Sequence, residues 1–543
     1  MQFIPIEGDM SATKQQAESI GMPSGKTGWI PLLSPRVNLA LGIVAALLIV
    51  MYGLVFILKP ENSYVDDSYF YLQVGWNMAH GMGSTFNNLI PTNGYHPLFM
   101  LVCAAVSKAV PERLMAIHAV AAVIVIFDAL MLFTVRRLLL RLGGDLWPIA
   151  FVLLVPFSFV TQLGTEGALS MLLLSLMMLF AYELVQAPDA KKAVLYNLVA
   201  ALAVLARLDS IFIVSLVWMS VSVALWRVGK RSLQFATTPI YVVLWGSYLA
   251  SNRIYFHLWE PISGMLKAHG ADDHQLGSNL PHTAIAAFAV IVVSFAGLAL
   301  TKRDLFFTVV EIPFAAGVVC HGLYITFKLS SETRWTWYYT SWVLLAAVML
   351  ARFCSVLLQR RRWLVTPLAV LSVLILMFVW VRVSYMHVFK QPPAAALARA
   401  FHDEVEVKQG IHRVLAYDQP GRLAYYSNVQ VIALDGLMGD MKFQKDIATM
   451  GINEYVRVNH IEAFVGPVTP LSALGYQELC TKLFLSTEIF QCTPRRGDPS
   501  RFDITGVNVY SRVPAVFAGT LQLPPSQLIW STDRFVSVWK LTP

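Results

Sequence analysis

Apolar residues fall along this chain in long blocks, with polar residues gathered between them, and not in the short periods of a soluble fold. Spanning helices are expected near 38–58, 114–135, 147–163, 167–185, 193–208, 210–226, 234–251, 283–301, 305–327, 340–358 and 364–385. Each approaches the roughly 20 residues a helix needs to cross hydrocarbon. A further run from Pro97 to Val110 holds only 14 residues, a length that suits a re-entrant or interfacial helix better than a spanning one.

Beyond residue 386 the pattern changes. "HRVLAYD" and "VQVIALDG" are apolar runs of strand length ending in Asp418 and Asp435, and "IEAFVGP" follows as a third. "QPGRLAYYS" reads as a turn and short helix, and "DMKFQKDIATMGINEYVRVNH" as a longer helix. Strand-helix alternation implies a small α/β unit with parallel strands. "GVNVYSR" and "RFVSVWKLTP" read as added strands. The expected division is a disordered 1–36, a membrane domain over 37–386 with a first loop at 59–96, and a separate domain over 387–543. The run after residue 36 is too long for a signal-peptide core and is taken as a retained helix.

Composition sharpens this. The 543 residues are 56% hydrophobic and 14% charged, where a soluble protein carries about a quarter charged residues. The net charge of +8 would suit nucleic acid if the cations shared one surface. They fall instead in short clusters between apolar runs: Arg136/Arg137/Arg141, Lys191/Lys192, Arg227/Lys230/Arg231, Lys302/Arg303 and Arg360/Arg361/Arg362. If the Pro97 run does not cross, there are eleven crossings and all these clusters share a side with Lys14, Lys26 and Arg36. That is the cytoplasmic side by the positive-inside rule. Nucleic acid is not expected as a partner.

The opposite, outer side then receives the polar residues suited to chemistry. The first loop, "VDDSYFYLQVGWNMAHGMGSTFNNLIPTNGYHPLF", opens with Asp66 and Asp67 and closes with Asn93, Tyr95 and His96. Two adjacent carboxylates at a membrane surface repel each other and need a partner or a role. Capping the next helix is one use; taking a proton from a hydroxyl is another. A loop dipping toward the bilayer must satisfy its backbone against protein or a watery cavity. Glu166 in "GTEGA", and Arg207 with Asp209 in "ARLDS", share this side; helix capping and mutual pairing are their plainer uses. So do Ser263 and Lys267 in "EPISGMLKA" and Arg334 before an aromatic run. Cys480 and Cys492, with eleven residues between them, are either a disulfide or two buried thiols.

An Asp-Asp pair just after the first transmembrane helix, with "DDSYFYLQVGWNMAHGMGSTFN" and "PTNGYHPLF", resembles the GT-C superfamily of membrane glycosyltransferases. The nearer likeness is to the bacterial branch of protein O-mannosyltransferases, aminoarabinose transferases and arabinofuranosyltransferases. "GTEGALSML", "LARLDS", "EPISGMLKA" and "LDGL" are similar to further motifs of that branch. The resemblance implies a polytopic α-helical membrane protein of about 11–13 transmembrane helices with a C-terminal extracytoplasmic α/β domain. It also implies an enzyme of the bacterial inner membrane that moves a sugar from a polyprenyl-phosphate donor to an acceptor hydroxyl at the outer leaflet, with inversion. Asp66 would then be the base and Asp67 its neighbour. Lys267, Arg207, Arg334 and Ser263 would meet the donor phosphate. Glu166, Asp209, Asn93, Tyr95 and His96 would shape the loop or meet a glycan, lipid or protein acceptor. No cofactor is expected to be required, though Asp66 and Asp67 could hold Mg²⁺ or Mn²⁺. The alternatives are a transporter or flippase of lipid-linked sugars, and a non-catalytic glycan-binding scaffold.

Overall fold

The computed structural model describes residues 32–144, 146–161, 164–267, 280–301, 303–329, 335–389, 394–416, 419–434, 436–466, 501–503, 520–522, 525–531 and 537–541. Arg334, Asp418, Asp435, Cys480, Cys492 and the "GVNVYSR" segment lie outside them.

Each of the eleven segments expected to span is a helix. Eight helical stretches among the described residues are long and apolar enough to cross a membrane: Pro35–Leu58, Arg113–Arg141, Gly167–Gln186, Leu208–Arg227, His282–Thr301, Phe307–Lys328, Thr336–Leu357 and Arg362–Arg382. Trp147–Thr161, Ala190–Ala206 and Arg231–Phe256 complete the set. This is a multi-pass helical membrane protein. Gly167–Gln186 and Thr340–Leu357 form its centre, buried along most of their length. Pro35–Leu58 lies at the rim and turns Leu39, Ile43, Leu47, Val50 and Leu54 outward, as a lipid-facing helix must.

The Pro97–Ala109 helix does not cross. His96, at its start, and Arg113, just past its end, both belong to the same end of the bundle. His96 accepts a hydrogen bond from the Leu208 amide there, and Arg113 reaches the backbone of Ala424 and Ser427. Helix direction therefore alternates over the eleven long helices. The starts and ends that carry Asp66, Glu166, Arg207 and Asp209 fall together, and the described residues of the basic clusters fall at the far end.

The C-terminal region holds a five-stranded sheet of β1 (Arg413–Ala416), β2 (Gln430–Ala433), β3 (Ala463–Gly466), β6 (Leu528–Ser531) and β7 (Ser537–Lys540), in the order β2-β1-β3-β7-β6. β1 pairs in parallel with β2 and β3, and β7 runs antiparallel to β3. β4 (Arg501–Asp503) and β5 (Thr520–Gln522) form a separate antiparallel pair. Alternate residues divide between two cores. Val414, Ala416, Ala463 and Val465 join the core of the membrane domain. Leu415, Phe464 and Trp539 face Phe443, Ile452 and Tyr455 on the other side. Strands buried on both faces read as continuous apolar runs, which is why the sequence shows them so plainly.

One element differs from expectation. The single long helix before β3 is two, Met441–Thr449 and Ile452–Val458. Met450 and Gly451 take extended backbone between them, and Gly is among the residues least suited to continuing a helix.

Candidate active site

Asp66 and Asp67 form the first turn of the Asp66–Ala79 helix, where acidic side chains complement the helix dipole. Consecutive helical positions point about 100° apart, and the two side chains meet different partners.

Asp66 faces the C-terminal domain. One carboxylate oxygen accepts the Gly421 amide at 3.0 Å and the other the Arg422 amide at 2.9 Å. These are the first free amides of the Pro420–Tyr426 helix, and Asp66 supplies the acidic cap they lack in their own chain segment. Gly421 permits the approach, because a Cβ there would lie 2.5 Å from the Asp66 carbonyl oxygen. Burial pushes the Asp66 carboxyl up to about 7, against the opposing pull of Arg422 and the two amides. Arg422 lies over the Tyr69 ring at 5.4 Å and donates to the Tyr64 carbonyl. The other end of the same short helix rests on Arg113. Its guanidinium donates to the carbonyls of Ala424 at 3.1 Å and Ser427 at 3.4 Å and sits 4.7 Å above the Tyr425 ring. The Tyr425 hydroxyl donates back to the Arg113 carbonyl.

Asp67 faces a different group. Its carboxylate lies 3.9 Å from the ammonium of Lys267, with the Asp67 side chain 36% exposed and that of Lys267 15%. This is charge attraction beyond hydrogen-bond length.

Lys267 ends the short Ile262–Lys267 helix, and Asn93 of the first loop fixes where that helix begins. The Asn93 side-chain oxygen accepts the Ile262 amide at 3.0 Å. Its nitrogen donates to the Glu260 carbonyl and to the Asn252 side chain, both at 3.3 Å. The loop is itself tied: Ser84 bonds the Tyr95 hydroxyl and the Thr92 carbonyl at 2.6 Å each. Gly94 packs so closely under Leu437 of the C-terminal domain that a Cβ would come within 2.0 Å of the Leu437 carbonyl oxygen. Ser263 lies partly exposed in the Lys267 helix.

Beside this pair stands a saturated network. Arg207 binds Asp209 with both prongs, at 2.9 and 3.0 Å, and Glu166 at 2.8 Å, and its guanidinium lies 4.7 Å from the Tyr338 ring. Tyr71 donates to Glu166 at 2.9 Å. The Trp342 indole donates to Nδ1 of His321 at 3.2 Å, which leaves the proton on Nε2 facing Asp209 at 3.1 Å. The Leu208 amide likewise donates to Nδ1 of His96, so its Nε2 carries the proton that faces Glu166 at 3.5 Å. Burial lowers the His96 value and keeps that ring neutral. His96 still feels Glu166, Arg207, Asp209 and Lys267, so the network adjoins the Asp67–Lys267 pair.

The sequence-derived candidates thus divide. Asp67 and Lys267 form the open pair and Asn93 supports it, while Glu166, Arg207, Asp209 and His96 form the closed network; Ser263 shares the Lys267 helix without a contact to the pair among the described residues. Arg207, expected to meet a phosphate, is 3% exposed and already held by two carboxylates. Among the described residues no group of three His, Cys, Asp or Glu is arranged to hold a metal ion. Arg113, Arg422, His321, Trp342 and Tyr71 were missed. Of these only Arg113 left a trace, as a basic residue on the side that otherwise lacks basic clusters.

No protein-family profile matches the chain, and no curated protein matches it. Among solved structures it is similar to the crystal structure of ArnT from Cupriavidus metallidurans bound to undecaprenyl phosphate. The identity is 12% and the TM-score 0.49, over 78% of this chain and 95% of that one.

Proposed function

We propose that this chain is a membrane glycosyltransferase of the GT-C kind, moving a sugar from a polyprenyl-phosphate donor to an acceptor hydroxyl with inversion. The observation that carries the proposal is the Asp67–Lys267 pair, a carboxylate and an ammonium 3.9 Å apart and partly open, set in the loop whose sequence resembles that superfamily. A hydroxyl acceptor needs a base and a departing phosphate needs a cation, and the pair offers one of each.

We assign the proton transfer to Asp67 on access: its side chain is 36% exposed, while each Asp66 oxygen accepts a backbone amide of the C-terminal domain. Asp67 takes the hydroxyl proton as the acceptor oxygen bonds to the anomeric carbon. The carbon–oxygen bond to phosphate breaks on the opposite face, and polyprenyl phosphate leaves with its electron pair; for Lys267 to meet its added charge, the donor must part the two groups beyond their present 3.9 Å. A single displacement inverts the anomeric centre. Asn93 supports this by fixing the start of the Lys267 helix. Carboxylates facing amides and an ammonium suit a reaction without a divalent cation between them. The basic clusters at the opposite end of the helices support placing the site at the outer face of the bacterial inner membrane.

The test is a purified-protein assay with a polyprenyl-phosphate sugar in detergent, following free polyprenyl phosphate. Wild type should release it only with acceptor present. Asp67→Asn should lower turnover about 10²–10⁴-fold, the range for a lost general base, and Lys267→Ala should lower it with a weaker donor dependence. Full turnover in Asp67→Asn overturns the assignment.

A further inference from the structure

The Pro420–Tyr426 helix belongs to the C-terminal domain by sequence and to the first loop by contact. It sits between β1 and β2 in the chain, yet both its ends are held by residues of the membrane domain. At its amino end the Asp66 carboxylate accepts the Gly421 and Arg422 amides. At its carboxyl end Arg113 donates to the Ala424 and Ser427 carbonyls. An acceptor at the start and a donor at the finish satisfy the free amides and carbonyls at both ends of the helix. The side of the helix is clasped as well: Tyr69 lies against Tyr425 and Tyr426 with ring centroids 5.8 and 5.7 Å apart. Arg422 lies over Tyr69 and donates to the Tyr64 carbonyl. The Asp66, Tyr64 and Tyr69 contacts bear on the turn that carries Asp67, and Arg113 reaches the Asp66–Ala79 helix further along, at Gln73.

We propose that Asp66 is a positioning residue: it anchors the C-terminal domain through the Pro420–Tyr426 helix, and this docking, completed by Arg113, holds Asp67 toward Lys267. The inference rests on the glycosyltransferase reading of the Asp67–Lys267 pair. It assigns the C-terminal domain a part in turnover, because the domain fixes the backbone turn from which the base projects. Loss of either end of the clasp frees that turn to rotate. A base displaced by an ångström loses much of its advantage, since proximity supplies a large share of the rate.

The experiment uses the full chain in detergent or nanodiscs, with two readouts on each of Asp66→Ala, Arg113→Gln and Gly421→Ala. Hydrogen exchange of the segment around 420–427 reports docking without reference to activity. The purified assay gives kcat and donor KM separately. The expected result is exchange faster by about tenfold to a hundredfold, as for buried polar groups left without a hydrogen-bond partner, together with lower kcat and an unchanged donor KM in all three. Asp66→Glu should recover part of both. The inference falls if Arg113→Gln and Gly421→Ala undock the helix and keep full kcat. It falls equally if Asp66→Ala leaves exchange slow while turnover is lost, which would return the chemical role to Asp66. If Asp67→Asn turns over like wild type, the glycosyltransferase assignment fails instead, and the exchange data still report whether Asp66 holds the helix.

Discussion

The Glu166–Arg207–Asp209 network and the Asp67–Lys267 pair share one end of the helical bundle and are built on opposite plans. In the first, every charge meets a partner at 2.8 to 3.0 Å, and two imidazoles close the edges. In the second, the charges stand 3.9 Å apart and partly exposed. The first plan suits a fixed frame, and the second leaves the Asp67 carboxylate within reach of solvent. The closed network also joins the first loop, through Tyr71 and His96, to the ends and starts of the long helices, so it can serve as the frame on which the open pair is set.

The comparison breaks most sharply at Arg207. Replacement by Ala leaves Glu166 and Asp209 buried without their cation, and losing one partner of such a group destabilises by about 3–5 kcal/mol. Arg207→Ala is expected to lower the melting temperature and the yield of folded protein, measured by thermal shift in detergent. A folded variant of normal stability and lowered donor affinity would move Arg207 from the frame to the donor site. Asn93→Ala removes three hydrogen bonds around Ile262 and should destabilise by about 1–3 kcal/mol, with donor KM raised as Lys267 loses its fixed place. Unchanged donor KM would show that the Lys267 helix is held by other means.

A smaller effect separates the acids. Asp66 sits at about 7 in place of 3.8, raised first by burial and also by Asp67, and drawn down by Arg422 and two amides. A raised value means the docked state binds the proton more tightly than the free one. Docking is therefore strengthened fully below the ordinary value, and the gain is lost as pH rises through about 7. Exchange in the 420–427 segment, corrected for its intrinsic pH dependence, should slow as pH falls across this window, and Asp66→Asn should flatten the trend. Smallest of all is Arg399→Ala, which removes an exposed bridge to Glu61 at 2.8 Å. Exposed pairs contribute about 0–1 kcal/mol, so melting and turnover should hardly move.

Much of this frame was legible in the sequence because hydrophobic length and strand-like apolar runs are local signals. All eleven long helices, the short Pro97 helix and the parallel strands β1 to β3 could be read that way. The site was legible only in part. Asp66, Asp67, Glu166, Arg207, Asp209 and Lys267 announced themselves as charges beside apolar runs. That Asp66 would meet Gly421 and Arg422, some 355 residues away, leaves no periodic trace, since tertiary pairing is not written in spacing. His321 and Trp342 lie inside spanning segments and look like ordinary helix residues until Asp209 is placed beside them. The break at Gly451 was visible as a glycine but outweighed by the helical pattern around it.

The most direct test of the central claim is mass spectrometry of lipid extracts from the parent strain, a deletion strain, and the deletion complemented with wild type or Asp67→Asn. The account predicts that a polyprenyl-phosphate sugar accumulates in the deletion, is cleared by wild type, and stays high when Asp67→Asn is present at normal level, its mass naming the sugar. Clearance by Asp67→Asn equal to wild type, or no such lipid in any strain, would contradict it.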